Sequence, residues 1–527
     1  MKRIVSLFLI LCMLLGTLML VACPAPDDGG TKTTTTKNPG GGDKPSEWAD
    51  RLDTEAVRAE IGKDAELVIS CLDQFDYQVY AEEDSKDALD QLVYKRNKKI
   101  EERFGFKIVP DITVAQREVD LSSHYNYAQT ELRSMQPTFD ILCMMLVQSG
   151  RLVAQNYYRD LRSSVPYVRE SLTANDPWWN YDMNINSTLH GRQYIAFSDY
   201  CISLIDSSFA FIFNESLVDE YNIARTYGAA HEATYETMYD IVKAGDWTID
   251  SMIEMTKDVW YEVDGLGTPG TLDTSDIIGY YNSGGSELDN FPFAFGFKYI
   301  ENDGVGDPTI WTYPSTFDGL VTKLRSYFKD SAGGKINPFS YSYEQSRQSF
   351  AEGHIVFMTG WLDDFKRPSI RGMEDNAGVL PYPKLNRDQT DYKTSPADTS
   401  DSLSISKYTT GKKLKLAGAM TVALSAETHK SITKTYYEMV VKHDSGFVNK
   451  AAVEMIDKIM EGTVFDFSIL HSHDLNFSED NGALFNTYLR YLINHAPNTS
   501  PSGLWNEAGP VLEGKLKSLI NSYTKLK

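Results

Sequence analysis

The sequence predicts an α/β fold built on mainly parallel sheets, and three observations carry the prediction. Short runs of continuously apolar residues recur, as in residues 65–71 (AELVISC), 139–146 (FDILCMML) and 208–214 (SFAFIFN). Segments with helical periodicity separate the first of these runs. Strands that are apolar on both faces and alternate with helices belong to sheets covered on both sides. Finally, 42 % hydrophobic residues in a 527-residue chain supply a large core and exclude wholesale disorder.

The elements follow in order. Residues 65–71 form a buried strand. Residues 86–104 form a helix, with Leu89, Val93, Ile100 and Phe104 on one face. Residues 106–112 (FKIVPDI) make a second strand, 122–135 a helix and 139–146 a third strand. A second part opens with the strand at 208–214. A helix-rich stretch follows, broken by loops at 265–276 and 284–290. Residues 377–383 (AGVLPYP) are a strand ending in prolines, 403–406 a short extended segment and 413–425 a helix; from 432 onward the chain reads mainly as helices. No repeat of solenoid period is present.

Composition narrows the function. Asp and Glu number 73 against 51 Lys and Arg, a formal net charge of −22. Nucleic acid and anionic membrane surfaces are bound by clustered cations, so neither is expected as the main partner. Aromatic residues reach 12 %, which supplies flat apolar faces with polar handles.

The N-terminus points to a compartment. Lys2 and Arg3 precede an uncharged apolar run that ends in Leu20-Val21-Ala22-Cys23. A basic start, an apolar run and small residues before a cut site make a secretory signal. Cys23 at the end of the run makes residues 1–22 resemble a bacterial lipoprotein signal, with Cys23 as the lipidated residue. Residues 23–47, rich in Thr, Gly, Pro and Lys, read as a flexible tether. Cys71, Cys143 and Cys201 are widely spaced and odd in number, which is no disulfide framework; Cys71 and Cys143 read as buried structural thiols.

Several blocks together resemble an extracellular solute-binding lipoprotein of the carbohydrate-importer (maltose-binding-like, family 1) type. These are Tyr94-Lys95-Arg96-Asn97 with Glu101-Glu102-Arg103-Phe104; Phe139-Asp140; Pro177-Trp178-Trp179 with Gly191-Arg192-Gln193-Tyr194; and Phe211-Ile212-Phe213-Asn214. Further along come Gly245-Asp246-Trp247-Thr248-Ile249-Asp250; Phe350-Ala351-Glu352-Gly353 with Gly360-Trp361; and Gly378-Val379-Leu380-Pro381-Tyr382-Pro383-Lys384. The resemblance implies a two-lobed periplasmic-binding-protein-like fold (type II), with interleaved lobes joined by a multi-crossing hinge. Lobe I is expected at 48–205 plus 398–430 and lobe II at 206–397 plus 431–527. The hinge crossings are expected near 197–207 and 398–406.

Sugars combine polar rims with weakly apolar faces. They call for aromatic rings and paired Asp, Asn or Gln groups on loops at strand ends. Trp361, following Gly360 at a strand end, is the first candidate, and in similar proteins the matching tryptophan stacks on sugar. Asp363 and Asp364 follow it as hydroxyl acceptors or solvated loop acids. Asp206 and Asp398 sit at the inferred crossings, where either sugar hydroxyls or the hinge backbone are their partners. Asp73 and Gln74 follow the first strand, Gln148 follows the third, and Asn290 lies in the second lobe. Trp178 and Trp179 could form a sugar platform, but packing after Pro177 is the expected role.

Two patterns are decoys. Residues 265–270 match dinucleotide-fingerprint spacing, but a helix-like run precedes them and Pro269 interrupts them. The same region compares with a calcium loop of similar binding proteins. Glu262 and Asp264 remain as oxygen donors, but Leu266 stands where another is needed, so no metal is expected. His471-Ser472-His473-Asp474 lacks a fourth zinc ligand and reads as a surface loop. The resulting expectation is a monomeric, non-catalytic, lipid-anchored extracytoplasmic binder without cofactor. It captures a carbohydrate, an oligosaccharide, for the membrane permease of an ABC importer. The alternatives are a surface glycan-degrading lipoprotein enzyme, or a binder of a non-sugar solute such as a peptide on the same fold.

Overall fold

The structure, a computed structural model, describes residues 50–116, 120–263, 271–446, 448–478 and 483–526. The signal segment 1–22, Cys23, the linker to residue 47, Asp264 and the run 265–270 lie outside the described residues.

In chain order the strands are β1 (Ala65–Leu72), β2 (Phe106–Thr113), β3 (Ile141–Met145), β4 (Phe209–Asn214), β5 (Trp260–Tyr261), β6 (Ile277–Asn282), β7 (Ile300–Glu301), β8 (Thr309–Ile310), β9 (Gly334–Ile336), β10 (Ile355–Trp361), β11 (Ala377–Leu380), β12 (Asp401–Ile405), β13 (Asn476–Ser478) and β14 (Ala483–Leu484). The first sheet runs β12-β3-β1-β2. Its β1 is parallel to β2 and β3, and β12 returns antiparallel to β3. The second sheet runs β11-β4-β10-β6-β5, with β9 also on β6. There β10 is parallel to β6 and antiparallel to β4. Among the central strands, every residue of β3, β4 and β6 is buried.

β6 and β9 fall inside the stretch expected to be helix-rich. β6 is short and interrupted by Gly279, which hides its period. The glycine is a packing requirement, because a Cβ there would lie 2.4 Å from the Thr256 carbonyl oxygen.

The helix Ala88–Phe104 shows why the Tyr94–Asn97 block has its composition. Asp87 caps it by accepting from the amides of Leu89 and Asp90, and Gly105 closes it at φ 73°. Beside the apolar residues Val93, Ile100 and Phe104 it buries Arg96 and Asn97. Arg96 Nη2 donates to the Gln78 carbonyl at 2.6 Å and Asn97 Nδ2 to the Val79 carbonyl at 2.8 Å. Two polar side chains thus hold the chain that leaves the carboxyl end of β1. The helix Gly411–Thr428 is buried nearly all round, and packs on the helices Thr54–Ile61 and Ala88–Phe104.

Trp178 and Trp179 are buried, as packing requires, and so are the free thiols of Cys71, Cys143 and Cys201. The chain after residue 465 packs on elements from both halves of the sequence. The helix Phe467–Leu470 packs on the helix Leu146–Ala154, which follows β3, and also on β7. Gly150 permits the first contact, since a Cβ there would lie 2.0 Å from the Leu470 carbonyl oxygen. His471 is buried, its Nε2 2.8 Å from the Tyr523 hydroxyl. That corrects the expectation of a surface loop: the ring packs under the helix Pro501–Tyr523. No group of three or more His, Cys, Asp or Glu among the described residues could hold a metal ion.

Candidate functional site

The carboxyl ends of the parallel strands place most of the expected ligand groups. In the first sheet, Leu72, Met145 and Val147 form a small apolar cluster apart from the main core, with Phe75 and Ala115 against it. These residues lie at or just beyond the ends of β1, β2 and β3. Asp73 and Gln74 open the 3-10 turn Asp73–Gln78 there, both half-buried. The Asp73 Oδ1 atom is covered and has no partner among the described residues. Gln148 lies deeper: its Nε2 donates to the Leu121 carbonyl at 2.5 Å and its Oε1 accepts from Arg151 at 2.8 Å. Its amide is therefore engaged in holding the loop.

In the second sheet the matching end is that of β10. Trp361 is half-buried, with Phe209 at 5.9 Å between ring centroids and Tyr343 edge-on at 5.2 Å. Its Nε1 is covered and lacks an acceptor among the described residues. The turn after it is built by Asp364, whose Oδ2 accepts the Trp361 amide at 2.9 Å and whose Oδ1 accepts Arg347 Nε at 2.7 Å. Gly360 is obligatory in this arrangement, because a Cβ would lie 2.1 Å from Asp364 Oδ2. Tyr343 begins a helix capped by Ser342 and Gln345 in a capping box, a signal that the sequence carries openly.

Asp206 and Asp363 meet on one cation. Lys366 Nζ lies 2.9 Å from Asp206 Oδ2 and 2.9 Å from Asp363 Oδ1. Asp206 also accepts from the hydroxyls of Tyr77 at 2.5 Å and Tyr436 at 2.6 Å. Lys366 sits over both tyrosine rings, 5.3 and 5.7 Å from their centroids. Burial opposes charge on Lys366, but Asp206 and Asp363 hold its ammonium above the ordinary value. Burial likewise works to raise Asp363, but Lys366 and Arg367 outweigh it and hold the carboxyl below the usual range. One network therefore joins the turn after β1, the crossing before β4, the turn after β10 and the helix Lys434–Val440. Both hydroxyls and the ammonium converge on Asp206, which acts here as a tie between segments.

The second crossing is held in a comparable way. Asp398 is half-buried, and its carbonyl accepts the Val147 amide at 2.9 Å. Asn290 is fully buried. Its Oδ1 accepts the Ser395 amide at 2.8 Å and its Nδ2 donates to Thr394 at 3.2 Å, so it fastens the return segment. Close by, Arg490 lies 3.1 Å from Asp289. Burial pushes Glu287 up to about 7, and raises Asp289 and Asp398 as well. Glu262 is exposed and follows β5, whose last residue pairs with the first residue of β6.

Sequence reasoning thus located the strand ends but missed Tyr77, Tyr343, Lys366, Tyr436 and Arg490. The capping box signals Tyr343; the others carry no local signal. Two cavities lie elsewhere: one of about 180 Å³ beside Trp179, and one of about 590 Å³ between His473 and the helix Pro501–Tyr523.

No protein-family model and no curated protein matches the sequence. Solved structures do resemble it. A cyclo/maltodextrin-binding protein complexed with maltotetraose is similar over 87 % of this chain and 98 % of its own, at 14 % identity and a TM-score of 0.51. The apo form of RafE from Streptococcus pneumoniae is similar over 86 % and 99 %, at 11 % identity and a TM-score of 0.50. At such identities the likeness defines the fold: two α/β lobes of the periplasmic-binding-protein-like type, the architecture of solute-binding proteins.

Proposed function

We propose that the chain is the extracytoplasmic binding component of an ABC importer. It captures a carbohydrate, an oligosaccharide, between its lobes and passes it unchanged to the permease. The observation that carries this reading is Trp361: a half-buried indole at the end of β10, flanked by Tyr343, with a covered Nε1 that lacks an acceptor among the described residues. An aromatic face beside an unsatisfied donor suits a sugar ring and one of its hydroxyls. The fold supports the reading, and one structure that shares it is a maltodextrin-binding protein complexed with maltotetraose. Asp363 and Asp364 favour capture over hydrolysis, because each is paired with a cation, Lys366 and Arg347. A hydrolase needs one carboxyl kept protonated and accessible.

In this reading Cys23 carries the lipid and residues 23–47 tether a monomeric body to the membrane surface. No helix among the described residues is long and apolar enough to cross a membrane. The test is a calorimetric screen of the protein against a glycan panel, with product analysis. Binding in the micromolar range or tighter without product is expected. A blank glycan panel alongside binding of peptides or another solute would overturn the sugar assignment, and released product would establish the enzyme.

A further inference from the structure

The cavity of about 180 Å³ beside Trp179 has room for one sugar ring, and its lining is not that of a packing defect. Leu172, Ile185 and the Trp179 ring give it an apolar wall. Arg162, Asn175 and Tyr181 supply polar groups around it. Arg162 is half-buried, and Nε is its one side-chain donor with a partner among the described residues, Gln193 Oε1 at 2.8 Å. No carboxylate forms an ion pair with its guanidinium among the described residues, and the acids next to it in sequence hold other partners. Asp160 accepts from the Arg162 and Gln193 amides and from Ser163. Asp176 pairs with Arg51, Asp182 accepts the Phe465 amide, and Glu170 pairs with Arg169. Asp160 is the acid whose charge acts on this guanidinium, but it forms no ion pair with it, so the two Nη groups are left without a partner among the described residues. Burial accordingly lowers the Arg162 pKa from its ordinary value. Tyr181, which acts electrostatically on Arg162, is a large ring 53 % exposed on the surface.

A guanidinium fork with its two Nη groups open matches a carboxylate bidentately. An apolar wall on one side and Asn and Tyr groups on another match a ring with hydroxyls. We propose that this pocket is a second binding site, outside the inter-lobe cleft, for a carboxylate-bearing sugar residue of the uronate type. Its ring lies along the Trp179 wall and its carboxylate on the Nη pair of Arg162. The site is independent of the ligand held at Trp361.

The experiment is calorimetric titration of the full chain with glucuronate and, separately, with glucose. It is repeated on Trp361→Ala, Arg162→Gln, Arg162→Lys and Tyr181→Ala, each checked for an unchanged melting profile. Glucuronate is expected to bind and glucose to bind at least tenfold more weakly. Glucuronate binding should survive Trp361→Ala, and fall about tenfold or more in Arg162→Gln, which loses the charged fork. Arg162→Lys, which keeps the charge but loses the fork, should recover little of it. Tyr181→Ala removes an exposed ring without touching the core, and should weaken binding severalfold. Equal binding of glucose and glucuronate, full binding by folded Arg162→Gln, loss in Trp361→Ala, or no binding of glucuronate would each overturn the assignment.

Discussion

Trp361 presents its ring because Gly360 lets Asp364 fold back under it. Gly360→Ala is therefore expected to lower stability by about 1–3 kcal/mol through overpacking, read as a lower melting temperature. Trp361→Ala should leave the fold intact and reduce oligosaccharide affinity tenfold or more, and an unchanged affinity would remove Trp361 from the site. Asp401 offers a test by pH. It is fully buried, and accepts from Gln78 Nε2 at 2.7 Å. Burial pushes its carboxyl from an ordinary 3.8 up to about 8. The folded state thus binds this proton more tightly than the unfolded chain does. The stability it contributes is complete below about pH 4 and is lost as pH rises toward 8. Asp401→Asn should consequently melt higher than the wild type at pH 8, with the difference shrinking toward pH 5.

At the scale of elements, the buried pair Arg96 and Asn97 makes the helix Ala88–Phe104 a clamp on the turn after β1. The capped helix at Tyr343 plays the matching part in the second sheet. Ser342→Ala should cost about 1 kcal/mol of stability. Because Tyr343 is the first residue of that helix, sugar affinity should also fall, measured by calorimetry beside the melting curve. The strands β1, β3 and β4 were legible in the sequence because strands buried on both faces leave nearly unbroken apolar runs, whichever way their neighbours point. β6 was not, because Gly279 breaks a six-residue strand. The candidate acids were legible as positions but not as roles. Whether Asp206 faces solvent or ties segments together depends on Lys366 and Tyr436, 160 and 230 residues further on. No local pattern encodes such partners.

At the scale of the molecule, the two sheets are joined behind the crossings as well as through them. The hairpin β7–β8 reaches residues 186–191, where Asn302 Nδ2 donates to the carbonyls of Asn186 at 2.8 Å and Thr188 at 2.9 Å. The Gly191 amide donates to the Gly304 carbonyl at 2.7 Å. With residues 186–191 and the hairpin in different lobes, as the expected boundaries have it, we propose that this brace restricts how far the lobes swing apart. Asn302→Ala should widen the ligand-free ensemble, seen as a larger radius of gyration by small-angle scattering that returns toward the wild-type value on ligand binding.

The three thiols of Cys71, Cys143 and Cys201 are silent while the core is closed, since burial pushes each of them far above the ordinary range. Unfolding ends that protection for all three at once. Under oxidising conditions an odd set of sulfurs cannot pair off within one chain, so one is left to cross-link a neighbour. Heat denaturation in air then becomes a one-way event whose rate, not its equilibrium, sets the lifetime of the protein. Refolding from denaturant should recover markedly more binding activity with a reductant present than without it.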